Sequence, residues 1–159
     1  MERLIRSIVL IILVVLATPL FAAGQKPLKP GPGDKCPVCG MFVAKYSDFV
    51  TQLQFKDGVV LYFDGPKDLF KYYLGVAPAR PGRKPADVTA IYVTSYYTLA
   101  PIDGRTAYYV AGSNVFGQMG RELVPFEKEA EAREFSKDHK GKAILRFKEV
   151  TSVVVKELD

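Results

Sequence analysis

Twice along this chain, two short runs rich in β-branched and aromatic residues lead into a helical stretch and then a closing strand. In the first pass, Phe49 to Gln54 and Val59 to Phe63 flank Lys56-Asp57-Gly58. Asp-Gly between two such runs marks a hairpin. Asp64-Gly65-Pro66 then ends the second strand and opens a helix, with proline at its first turn. Asp64 or Gly65 is placed to cap that helix, and Asp64 is assigned the role. Leu69, Phe70, Tyr73 and Leu74 recur at helical spacing before Gly75 stops the helix. Ala77 to Pro85, with three prolines, reads as an exposed loop, and Val88 to Thr94 as the closing strand. In the second pass, Thr106 to Ala111 is a strand, Gly112-Ser113-Asn114 a turn, and Val115 to Gly120 a glycine-spaced segment. Leu123 to Phe126 is a short strand. Glu127 to Lys140 is a charged amphipathic helix with Ala130, Ala132 and Phe135 inward, stopped by Gly141. Ala143 to Phe147 closes the unit, and Val153 to Val155 adds a further strand. The two passes share a pattern rather than residues. They predict an α+β fold of two successive ββαβ modules, about 35–95 and 96–155.

The N-terminus places these modules outside the cytoplasm. Arg3 and Arg6 precede an apolar run from Ile8 to Leu16, and Pro19 leads to Ala22-Ala23-Gly24. That is the layout of a secretory signal over residues 1–24, with an uncleaved membrane anchor as the alternative. No cysteine closely follows the apolar run, so a lipid-acceptor site is not read here. Residues 25–34, rich in Pro and Gly, read as a linker. Loss of residues 1–24 lowers the net charge from +5 to +4, since Arg3 and Arg6 outweigh Glu2. Lys67, Lys71, Arg80, Arg83 and Lys84 are interspersed with Asp, Pro and Tyr, which reads as a solvated surface and not a nucleic-acid patch.

Chemistry concentrates just after the linker, in Cys36-Pro37-Val38-Cys39-Gly40-Met41, which holds both cysteines of the chain. Thioredoxin-like redox chemistry needs such a pair at a helix N-terminus after a buried strand, where the thiol pKa falls. Here a Pro/Gly-rich segment precedes Cys36, and Gly40 weakens any helix. A structural disulfide remains open, because an exported chain meets an oxidising compartment. A closed zinc site wants four ligands, and beyond the two cysteines the chain offers one histidine, His139, in the last turn of a charged helix where it serves as a cap. Cu(I) takes soft thiolate and thioether donors at low coordination number. Cys36, Cys39, Met41 and Met119 supply such a set, with Met119 flanked by glycines in Gly117-Gln118-Met119-Gly120. Met119 as a gap-filling residue between the modules is equally open.

Three stretches together are similar to the NosL family of copper-binding accessory proteins for nitrous-oxide reductase. They are Cys36 to Met41, Phe63-Asp64-Gly65-Pro66-Lys67-Asp68, and Gly117 to Leu123 with Pro125. The resemblance runs from Asp34 to about Val150. It implies two treble-clef-like ββαβ modules, no enzymatic activity, and binding of Cu(I) outside the cytoplasm. It also implies delivery of that copper to the reductase in cooperation with an ABC-type membrane complex. Family ligation by cysteine and methionine carries over to Cys36 or Cys39 and to Met41 or Met119. The family's histidine does not: Arg121 follows Met119-Gly120, and a guanidinium cannot ligate a metal.

Overall fold

The computed structural model describes residues 25–77 and 83–159. The signal segment assigned to 1–24 and most of the proline-rich loop, 78–82, lie outside the described residues. Strands β1 (Thr51–Phe55) and β2 (Val60–Phe63) form the expected hairpin, with Gly58 at φ 80° in its turn. Helix α1 (Pro66–Tyr73) follows, then β3 (Val88–Thr94) and a short β4 (Pro101–Asp103) that the sequence reading lacks. These strands make an antiparallel sheet in the order β2-β1-β3-β4. The second unit has β5 (Tyr108–Ala111), the two-residue strands β6 (Phe116–Gly117) and β7 (Gly120–Arg121), β8 (Val124–Phe126), α2 (Glu129–Asp138) and β9 (Ala143–Arg146). Its main sheet runs β8-β5-β9, again antiparallel. In both sheets the first strand of the unit is central, flanked by the second and by the strand after the helix. The β6–β7 hairpin is an insertion between β5 and β8, and its two-residue turn is Gln118-Met119.

One expected strand is a helix. Val153 to Val155 lie in α3 (Ser152–Glu157). Thr151 caps it, its side-chain oxygen accepting from the Val154 N–H at 3.4 Å. Val155 and Leu158, three residues apart, enter the core, and α3 packs on α1. Helical spacing of buried positions outweighs the strand preference of a valine run.

The two units share a core. Along β5, Tyr109 and Ala111 join the cluster built by Leu53, Phe63, Leu69, Phe70 and Ile91, while Val110 joins Val124, Phe126, Ala132 and Phe135 on the other face. Strand alternation thus buries both sides of the second sheet: α2 covers one and the first unit covers the other. An aromatic seam ties the units, with Phe70 5.2 Å from Tyr109 and 5.1 Å from Phe147 between ring centroids. The Tyr109 hydroxyl donates to the Gly104 carbonyl at 2.6 Å, so its polar end is satisfied.

Every residue of β1 is buried, although only Leu53 and Phe55 face the core cluster. Gln52 and Gln54 are covered by the segment read as a linker. The Leu28 N–H donates to Gln52 Oε1 at 3.0 Å, and Gln52 Nε2 donates back to the Leu28 carbonyl at 2.9 Å. Gln54 Nε2 donates to the Lys26 carbonyl at 2.8 Å. Residues 25–29 therefore lie as a strap across the sheet, held by side-chain amides that mimic backbone pairing. Among the described residues no helix is long and apolar enough to cross a membrane.

Candidate metal centre

The cysteine motif folds into a tight loop. The Cys36 N–H donates to the Met41 carbonyl and the Gly40 N–H to the Cys36 carbonyl, both at 2.9 Å. A bridge between Lys35 and Phe42 closes its base. Gly40 adopts φ 79°, a conformation costly for any residue with a Cβ. The loop turns Cys36 inward, leaving it 2% exposed within the core cluster, and keeps Cys39 half-buried. Both thiols are free.

Two carboxylates meet them. One donor atom each from Cys36, Cys39, Asp64 and Asp68 lies within 4.8 Å of the others. The Cys36 thiol donates to Asp68 Oδ2 at 3.4 Å. Asp64 is not the helix cap expected of it. Gly65 is the N-cap residue of α1, it has no side chain to do the capping, and Asp64 is buried with Oδ1 lacking any partner. The capping rule is local, whereas here a tertiary packing decision turns Asp64 into the cluster. Asp64 and Asp68 are four residues apart across the helix start, which sets both on the side facing the cysteine loop. That spacing is the signal in the sequence, and the capping assignment obscured it.

Burial dominates the electrostatics. It pushes the Cys39 thiol up to about 11 and the Cys36 thiol further above its ordinary range, and the negative charge of Asp64 adds to both shifts. Asp68 is also raised, first by burial and then by Asp64 beside it. Neutral thiols are poor nucleophiles, so nothing here resembles the depressed thiol pKa of an oxidoreductase. Two thiols beside two carboxyls in a desolvated space instead form a site that gains most when a cation replaces the thiol protons.

The methionines stand differently. Met41 is half-buried at the end of the cysteine loop. Met119 is 46% exposed at the tip of the β6–β7 hairpin, and its carbonyl accepts from Lys67 Nζ at 2.8 Å. Lys67 belongs to the first turn of α1, so the hairpin is moored to the start of that helix. His139 is far from this chemistry in the fold: it ends α2, stacks on Phe135 at 4.4 Å and pairs through Nδ1 with Asn114 Oδ1 at 3.1 Å. Arg121 is exposed and pairs across the hairpin with Phe116.

Comparison with known proteins agrees with this architecture. Residues 27–155 match the family model described as NosL. A copper-binding lipoprotein NosL from Stutzerimonas stutzeri is 28% identical over 160 residues, covering 91% of this chain and 80% of the relative. The crystal structure of the copper chaperone NosL from Shewanella denitrificans superposes with a TM-score of 0.66 at 26% identity, covering 82% of this chain and 98% of that one. A family match across most of the chain and a shared fold over nearly the whole of a solved relative place this protein in the NosL family.

Proposed function

We propose that this protein is an extracytoplasmic carrier of Cu(I), with Cys36 and Cys39 as thiolate ligands and Met41 and Met119 as thioether ligands. The observation that carries the reading is the convergence of two free thiols with Asp64 and Asp68 in one buried cluster. Soft sulfur favours Cu(I), zinc and iron–sulfur clusters over hard cations, and the thioethers of Met41 and Met119 beside the thiols favour Cu(I) among these. Loading replaces two thiol protons with one copper ion: two S–H bonds break, two Cu–S bonds form, and two protons leave to solvent. No electron moves. Asp68, already hydrogen-bonded to the Cys36 thiol, is placed to relay the first of those protons to solvent. Asp64 and Asp68 leave negative charge around the cation, which favours its entry into an otherwise dry site.

Release follows by ligand exchange. The exposed Met119 is the donor an incoming acceptor ligand can displace first, while the buried Cys36 holds the ion until exchange is complete. The acceptor is a copper enzyme, nitrous-oxide reductase, reached with its ABC-type membrane maturation complex; the copper-chaperone relative supports a delivery role, and the family resemblance supplies the acceptor. The protein acts as a carrier and not as an enzyme, consistent with thiols whose pKa values are raised. Titration of the reduced protein with Cu(I) against a competing chelator tests the reading. Cys36→Ser with Cys39→Ser is expected to weaken binding by on the order of 100-fold or more, since serine offers no soft donor. Parental affinity in that double variant would remove the thiolate site.

A further inference from the structure

Helix α1 begins without a cap of its own, and the residue that serves it comes from the far side of the chain. Glu122, immediately after β7, is 4% exposed. Its Oε1 accepts from the Lys67 N–H at 2.6 Å, in the first turn of α1, and from the Leu123 N–H at 2.8 Å. The carboxyl fits because glycine stands on both sides. A Cβ on Gly65 would lie 2.2 Å from Glu122 Oε2, and one on Gly117 would lie 3.2 Å from it. From the other direction, the Lys67 side chain, itself buried, reaches the Met119 carbonyl at 2.8 Å and the Leu158 carbonyl at 3.4 Å. Two hydrogen bonds, both donated by the buried Lys67, thus join the start of α1 to the β6–β7 hairpin and to the residue that follows it. The same five-residue stretch, Asp64 to Asp68, carries the two carboxylates of the metal cluster and both attachment points of this clamp.

We infer that Glu122 and Lys67 are positioning residues, which hold the Met119 thioether at the edge of the Cys36/Cys39 cluster so that it completes a copper site it does not itself anchor. The inference rests on the Cu(I) reading above. Met119 sits in a two-residue turn and has an exposed side chain, so its own packing does not fix it. The backbone on either side of it is what the clamp fixes, and a ligand group must be held within about 0.5 Å of its working geometry to contribute. Neither clamp residue is a metal ligand: the Glu122 carboxyl is engaged by two backbone donors, and the Lys67 ammonium has no lone pair to give.

The test uses the full chain with ¹³C-methyl methionine. In metal-free protein, Glu122→Ala is expected to speed amide exchange at Lys67 and Leu123, and Glu122→Gln, whose carbonyl can accept both bonds, is not. On Cu(I) addition, the Met119 methyl resonance is expected to shift in the parent and in Glu122→Gln but to stay in place in Glu122→Ala. Glu122→Ala and Met119→Leu are expected to lose affinity by the same factor, about 10-fold to 100-fold by analogy with supporting residues of other metal sites. The double variant should be no weaker than either single one. A simple loss of fold would lower both affinity terms multiplicatively and is separated by that comparison. Lys67→Leu, which keeps the helix cap and adds no metal donor, should reproduce the effect if Glu122→Ala does not fold. A Met119 methyl that still shifts in folded Glu122→Ala or Lys67→Leu, or losses that multiply, would overturn the inference. Absence of Cu(I) binding by the parent would instead remove the chaperone reading, while the metal-free exchange still decides whether the clamp holds the hairpin.

Discussion

Asp64 sits in an environment that works against the metal-free fold. Its carboxyl is buried beside Asp68 and one oxygen has no partner. A buried polar atom left unsatisfied costs about 1–3 kcal/mol, and a neighbouring carboxyl adds to that. Such a cost persists where function uses the group. Asp64→Asn is therefore expected to raise the stability of the metal-free protein by about 1 kcal/mol, because it removes the like-charge contact. The same change should weaken Cu(I) binding, because the cation loses a negative neighbour. Thermal melts and chelator competition on one preparation check both signs, and a variant that loses stability without losing affinity would refute the assignment.

At the scale of elements, the start of α1 depends on a residue 55 positions away, and the dependence carries a pH signature. Burial pushes Glu122 up to about 8 from its ordinary 4.5, with the two N–H donors and Lys67 pulling the other way. The folded protein therefore keeps a proton on Glu122 that the unfolded chain has released. Below pH 4.5 both states are protonated and the group is neutral in its effect. As pH rises from 4.5 to about 8 the unfolded state is progressively favoured, and above 8 the effect is constant. Glu122→Gln removes this titration. Its stability relative to the parent should grow across pH 4.5 to 8 and level off above it, measured by denaturant unfolding of the metal-free proteins. A difference that is flat across this window would mean that Glu122 is not buried as described.

For the molecule as a whole, the shared core predicts cooperativity. Phe70 of the first unit packs on Tyr109 and Phe147 of the second, and α3 returns to pack on α1. The two ββαβ units should unfold in a single transition although each has its own sheet. Phe70→Ala should lower that one transition by about 3–5 kcal/mol, the usual result of emptying an aromatic core position. Calorimetry showing two separate transitions, with only one of them moved, would contradict a common core.

Much of the element order was legible in local pattern. The Asp-Gly hairpin, the Pro66 helix start, the β3 boundaries and the stop at Gly75, which adopts φ 73°, each follow from turn chemistry or periodicity that needs no distant contact. The cysteine loop was legible for the same reason, since Cys-x-x-Cys-Gly brings its own thiols together. What the sequence left open was every feature in which burial overrides a local rule. Val153 to Val155 became helical because α1 offered a surface to pack on. Residues 25–29, the first half of the segment read as a linker, became a strap because Gln52 and Gln54 face outward from β1 and needed partners. Asp64 left the capping role and joined Cys36, Cys39 and Asp68 because Glu122, brought in by the second unit, serves the helix N-terminus instead. The sequence alone determined which residues can turn, pair and bind soft metal. The tertiary structure decided which of them share one desolvated space, because desolvation depends on neighbours that are distant along the chain.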